Sequence, residues 1–204
     1  MSSPQQSGLW YLRREKLPTG LWIVEAHDGD AHTDGSVHDS EVASGAEAII
    51  WRTVETDRGL LRLEYPHDII PDAPRLWFVE IDDPRATPIP STHLVAFATD
   101  HFASGTVISK YTFAGLGVHS DTQAGAVNWH TNGLVRQVYV PPAMRRRFVG
   151  TALLRAADAW HQARGIPGRV HGDGRRTELG ERLVATTVHP QRYQPLSETM
   201  PEMD

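Results

Sequence analysis

The chain has 204 residues, 40% of them hydrophobic, a formal net charge of −5 and no cysteine. That size and composition suit one domain with a sizeable core, and they exclude disulfides, cysteine-ligated zinc and thiol nucleophiles. No apolar run approaches membrane-spanning length and the polar opening lacks the charged and apolar regions of a secretory signal, so a cytoplasmic location without a membrane partner is expected.

In chain order, residues 1–20 read as an N-terminal extension. Beyond them, β-branched and aromatic residues between Gly, Pro and Asp punctuation predict strands over 21–26, 48–54, 60–65, 76–81, 93–98, 106–113 and 126–130. Residues 27–45 form a polar insert with three His and four Asp. Their spacing fits neither a calcium loop nor a helical His pair, so the segment is predicted to be a solvated loop and no metal site is expected. No helical periodicity stands out between residues 66 and 125.

The turn at Thr131, Asn132 and Gly133 predicts a hairpin joining the strand around Trp129 to a further strand over 134–140. Pro141 and Pro142 lack backbone donors and end that strand, pushing the chain into a loop that carries Arg145, Arg146 and Arg147. Apolar residues at 149, 152, 153, 156, 157, 160 and 163 then recur at helical spacing, predicting a helix with one face buried on a sheet. Cations oppose the positive end of a helix dipole, so three arginines there call for an anion, and a pyrophosphate would serve. The plainer reading is a solvated arginine run on an ordinary connection. Thr151 suits a phosphate contact or a simple helix start.

Arg164 and Gly165 predict the helix stop, and 168–171 a short strand. Residues 176–185 read as a second helix, with Thr177 as a cap and Leu179, Leu183 and Val184 on its buried side. Residues 189–204 are a Pro-rich tail. Residues 134–176 hold nine arginines against Asp158 and Asp173, a local charge of +7 beside −12 elsewhere. This basic centre has no interleaved aromatic platform and sits in an acidic body, which argues against a nucleic-acid partner and for a small anionic one.

A strand ending at Val140, Pro142, three arginines, Gly150 and an Ala-Leu-Leu helix together resemble the acetyl-CoA-binding motif of the GNAT N-acetyltransferase superfamily, over about residues 126–188. In that family the loop reads Gln/Arg, any, any, Gly, any, Gly/Ala. Arg145 and Gly150 match its ends, while Phe148 stands at the first glycine. The resemblance implies an α+β fold: a mixed, mostly antiparallel twisted sheet flanked by helices, here with a β-rich N-terminal half. It implies acetyl-CoA as co-substrate, its pyrophosphate held by Arg145, Arg146, Arg147, Phe148, Val149, Gly150 and Thr151. The main chain of Val138, Tyr139 and Val140 would pair with pantetheine, in a gap between strands ending at Val140 and Val170.

Acyl transfer to an amine needs a base and an acid for the leaving thiolate. His171 is the candidate base, Tyr193 a displaced candidate acid, and Tyr139 a strand residue that could reach the acceptor. Each also reads as an ordinary packing residue. Two functions follow from the resemblance. One is an acyl-CoA-dependent N-acetyltransferase acting on a small-molecule or protein amine. The other is a GNAT-like binding or structural module without chemistry, held in a homo-oligomer or in an assembly such as a phage particle.

Overall fold

Residues 8–39, 48–65, 73–85, 89–187 and 189–202 are described by the computed structural model. Leu9, Trp10, Tyr11 and Leu12 are consecutive and none is more than 5% exposed, so within residues 1–20, of which 1–7 lie outside the described residues, the first half of a strand, β1 (Gly8–Lys16), is buried. Consecutive apolar residues in a strand face opposite sides, and β1 is therefore covered on both. It pairs antiparallel with β2 (Trp22–Gly29) and parallel with β3 (Val37–Asp39). With β4 (Ala48–Glu55) and β5 (Leu61–Glu64) these make a five-stranded sheet in the order β3-β1-β2-β4-β5.

The segment 27–45, read from sequence as a solvated loop, is partly strand: β2 runs to Gly29 and β3 occupies 37–39, while 40–45 lie outside the described residues. The cause is Trp10. His27 stacks on its indole at 4.5 Å, and His32 and His38 meet the ring edge-on, so the histidines cover the strand face turned away from the main core.

The second sheet is built from β6 (Trp77–Asp83), β7 (Ser91–Phe97), β8 (Val107–Ser109), β9 (Gln123–His130) and β10 (Val135–Tyr139), in the order β10-β9-β7-β6-β8. The strand expected over 106–113 stops early. Ser109 caps a short helix, α1 (Lys110–Ala114), its hydroxyl accepting from the Thr112 amide. The 131–133 hairpin forms, with Gly133 at φ 89°. Gly105 joins the two sheets: its φ is +84°, and a Cβ there would sit 1.8 Å from the Leu63 carbonyl oxygen.

The long helix α2 (Val149–Ala163) packs on β9, β10 and β7 of one sheet and on β2 and β4 of the other. Alanines at 152, 156, 157, 159 and 163 let the strands approach closely, and one continuous core joins both sheets through the helix. A single buried face was expected, yet Leu154, Asp158, Ala159, His161 and Gln162 are buried too. The expected α+β architecture, one sheet flanked by helices, is therefore corrected: the fold is strand-rich, two mixed sheets holding one helix between them. It differs because β1 to β5 form a sheet of their own rather than extending the second.

After α2 the expected strand over 168–171 is reduced to one parallel bridge, Leu134 to His171. The chain continues through β11 (Arg175–Arg176), α3 (Glu178–Ala185) and β12 (Glu198–Thr199), which pairs parallel with β11. Thr177 caps α3, its hydroxyl accepting from the Gly180 amide. Val184 is buried, but Leu179, expected on the buried side, is 37% exposed.

Candidate functional site

The turn into α2 departs most from ordinary backbone geometry. Pro142–Met144 form one 3-10 turn, Arg145 returns to extended backbone, and Arg146 and Phe148 take φ of 60° and 56°. These are the only non-glycine residues at positive φ among those described. Left-handed backbone costs an ordinary residue about 1–2 kcal/mol, and such strain gathers at functional turns. Phe148 is the residue immediately before α2 and makes no side-chain cap, which leaves the first amides of the helix without an acceptor among the described residues. Phe148 thus keeps the conformation for which a glycine is the usual choice, and its ring is 47% exposed.

Arg145 anchors the turn by donating from Nε to the Val140 carbonyl at 3.0 Å. Arg147 donates to the Met144 sulfur at 3.4 Å, and Arg146 is exposed. Among the described residues no carboxylate neutralises any of the three. Val149 is buried in the core, and Thr151 lines a cleft beside α2. Gly150 has a packing reason of its own, since a Cβ would come within 3.1 Å of Leu183 on α3.

Val138 and Tyr139 pair with Val127 and Ala126 of β9. The other edge of β10 is bonded only at its start, where the Val135 amide donates to the His171 carbonyl at 2.8 Å. The chain at 172 then turns to pair with Tyr193, so β10 from Arg136 to Tyr139 presents a main-chain edge with no partner strand among the described residues.

The three catalytic candidates are spread out. The His171 ring donates from Nδ1 to the Arg169 carbonyl at 3.1 Å, because a carbonyl only accepts, and Nε2 is left as the basic nitrogen. It lies at the start of β10, roughly 17 Å from the arginine turn at a strand rise near 3.4 Å per residue. The Tyr193 ring packs on Gly172, and burial first, then the Asp158 charge, push its hydroxyl pKa well up. Tyr139 is half-buried on β10. No hydrogen bond or ring contact joins any two of them.

A polar cluster that sequence reasoning missed lies under α2. Tyr11 donates to Asp158 Oδ1 at 2.6 Å, and Arg192 donates to the Tyr11 oxygen at 2.8 Å, to Asp34 at 2.6 and 3.0 Å, and to the Leu9 carbonyl at 2.7 Å. Arg169 forms a second ion pair with Asp34. Burial and the Asp158 carboxylate raise the Tyr11 pKa far above its ordinary value. Burial alone would raise that of Asp34, but the Arg192 contact outweighs it and holds the carboxyl low. Arg192 is likewise held cationic against its burial by Tyr11, Asp158 and Asp34. An aspartate within Ala-Ala-Asp-Ala-Trp was the available signal, since an apolar helix carries an acid only where a partner awaits it.

Among the described residues no group of three or more His, Asp or Glu is placed to hold an ion. No helix among them is long and apolar enough to cross a membrane. No known protein family, curated protein or solved structure matches this chain.

Proposed function

We propose that the turn 141–148 and the open edge of β10 bind acyl-CoA, acetyl-CoA in the first instance, and that the protein transfers the acyl group to an amine. The observation that carries this is the backbone at Arg146 and Phe148, strained into the left-handed region at an uncapped helix start beneath three arginines without a carboxylate partner. Amides and guanidinium groups so arranged fit a pyrophosphate. The unpaired amides and carbonyls between Arg136 and Tyr139 fit the peptide-like groups of a pantetheine arm. An arm laid along that edge reaches toward His171, whose free Nε2 takes the proton from an incoming ammonium. The bound thioester supplies a carbonyl carbon for the amine to attack and a thiolate to leave.

A second reading, a binding module without chemistry, is favoured by the separation of His171, Tyr139 and Tyr193. Calorimetric titration with acetyl-CoA and with CoA, followed by an amine screen for thiol release, separates the two. The chain has no cysteine, so a thiol-reactive dye reports CoA without background. Micromolar one-to-one binding with turnover on any amine supports the enzyme, and binding without turnover supports the module. Absence of binding at millimolar ligand removes the enzyme and leaves a structural module without a cofactor.

A further inference from the structure

Along α2, on the side of the first sheet, runs a cleft of about 140 Å³. Its walls are mainly apolar, with Leu9, Ile50, Leu154 and Val170 supplying aliphatic surface and Trp51 an indole. Three residues lining it carry buried donors without an acceptor: Arg155 at Nη1, His189 at Nε2 and Trp51 at Nε1. The Gln191 amide nitrogen only donates, so His189 accepts at Nδ1 and carries its hydrogen on Nε2. Unmet buried donors are uncommon in folded proteins, and three on the walls of one small cleft mark where an acceptor belongs.

Asp28 Oδ1 lies 3.8 Å from His189 Nε2, within ion-pair range but beyond a hydrogen bond, and the other neighbouring carboxylates are engaged elsewhere. Asp158 accepts from Tyr11 and Arg192, and Asp34 from Arg192, Arg169 and the Leu9 amide. Arg192 and Arg169 balance those two acids, which leaves the Arg155 guanidinium as the surplus charge of the cluster. Burial depresses the Arg155 pKa, and Tyr65 and Asp158 offset only part of that effect.

We propose that this cleft binds a small monocarboxylic acid with a compact apolar body of about six carbons, its carboxylate paired with Arg155. The volume matches that of a cavity known to hold a benzene ring. One unpaired cation compensates one negative charge, and Asp158 in the wall disfavours a phosphate dianion. This site uses none of Arg145, Arg146 or Arg147 and stands apart from the arginine turn of the acyl-CoA reading, though Phe148, Thr151 and Tyr193 line it too.

The test titrates the full chain with benzoate and with benzyl alcohol, a neutral ligand of the same shape, by calorimetry. Saturable one-to-one benzoate binding, at least ten-fold tighter than benzyl alcohol, is expected. Arg155→Gln should weaken benzoate at least ten-fold and leave benzyl alcohol unchanged. Equal affinity for the two ligands, no benzoate binding, or full affinity in a folded Arg155→Gln protein would each overturn the proposal. The wild-type comparison decides the matter even if the variant does not fold.

Discussion

Arg192→Met tests whether the cluster under α2 holds the two halves of the fold together. The guanidinium bonds Asp34 twice, the Tyr11 oxygen and the Leu9 carbonyl, in a side chain only 6% exposed. Removing one partner of a buried ion pair costs about 3–5 kcal/mol. The lower end applies here, because Asp34 keeps Arg169 and the Leu9 amide, and Asp158 keeps Tyr11. At about 2–4 °C per kcal/mol for a chain of this size, the melting temperature should fall by roughly 6–12 °C at neutral pH. The deficit should depend on pH. The folded pKa of Asp34 is depressed, so its contribution is present above the unfolded value near 3.9 and is lost as pH falls through the folded one. Methionine removes the main cause of that depression, and the two proteins should therefore converge in acid. Scanning calorimetry at neutral and at acid pH reads both effects. A fall below about 2 °C at neutral pH, or a gap that stays constant in acid, would refute this account.

Phe148→Gly removes about 1–2 kcal/mol of left-handed strain against about 0.5–1 kcal/mol of added chain entropy, so a melting temperature raised by about 1–3 °C is expected. A lower value would show that ring contacts at the cleft rim outweigh the backbone. Gly105→Ala puts a Cβ 1.8 Å from the Leu63 carbonyl at positive φ, and urea unfolding should show a loss of at least about 2 kcal/mol. His161 is fully buried, accepts from Trp129 and donates to the Pro167 carbonyl. Burial lowers its folded pKa, so the stability it contributes is present above the unfolded value near 6.5 and is lost as pH falls below it. His161→Gln should accordingly flatten part of the decline between about pH 7 and 5 in thermal melts, and an unchanged slope would assign that decline elsewhere.

Local chemistry was legible and long-range pairing was not. Alternation and turn residues located most strands, the 131–133 hairpin and the α2 stripe, because period and punctuation are local properties. Nothing local shows that Leu9 to Leu12 seat a separate sheet, or that α2 lies between two sheets rather than on one. The buried cluster joins Tyr11 to Arg192 across 181 positions, a distance no spacing rule spans. Tyr193 was picked out by the resemblance and His171 by its place at a strand end, yet the structure gives Tyr193 a packing role on Gly172 and sets His171 at the far end of β10 from the arginines. At Phe148 the residue type alone does not reveal the backbone, which is left-handed, at a cost in strain.

The basic centre read from sequence as one feature divides into two populations. Arg164, Arg169, Arg175 and Arg176 each meet a carboxylate, on Glu80, Asp34, Asp173 and Glu181 respectively. Two of those acids come from the acidic N-terminal half, so half of this population cross-links the two parts of the chain. Arg136, Arg145, Arg146, Arg147 and Arg155 meet no described carboxylate. Four of the five lie on the open edge of β10 and the turn that follows it, and the fifth faces the cleft beside α2. Neither group forms the extended surface that a long polyanion would need. Each instead offers a few positive charges beside unmet hydrogen-bond donors, which selects ligands with a compact anionic group. Charge reversal at Arg146 and at Arg155 should therefore act separately, the first on acetyl-CoA and the second on benzoate. If either reversal weakened both ligands equally, the turn and the cleft would have to be treated as one site.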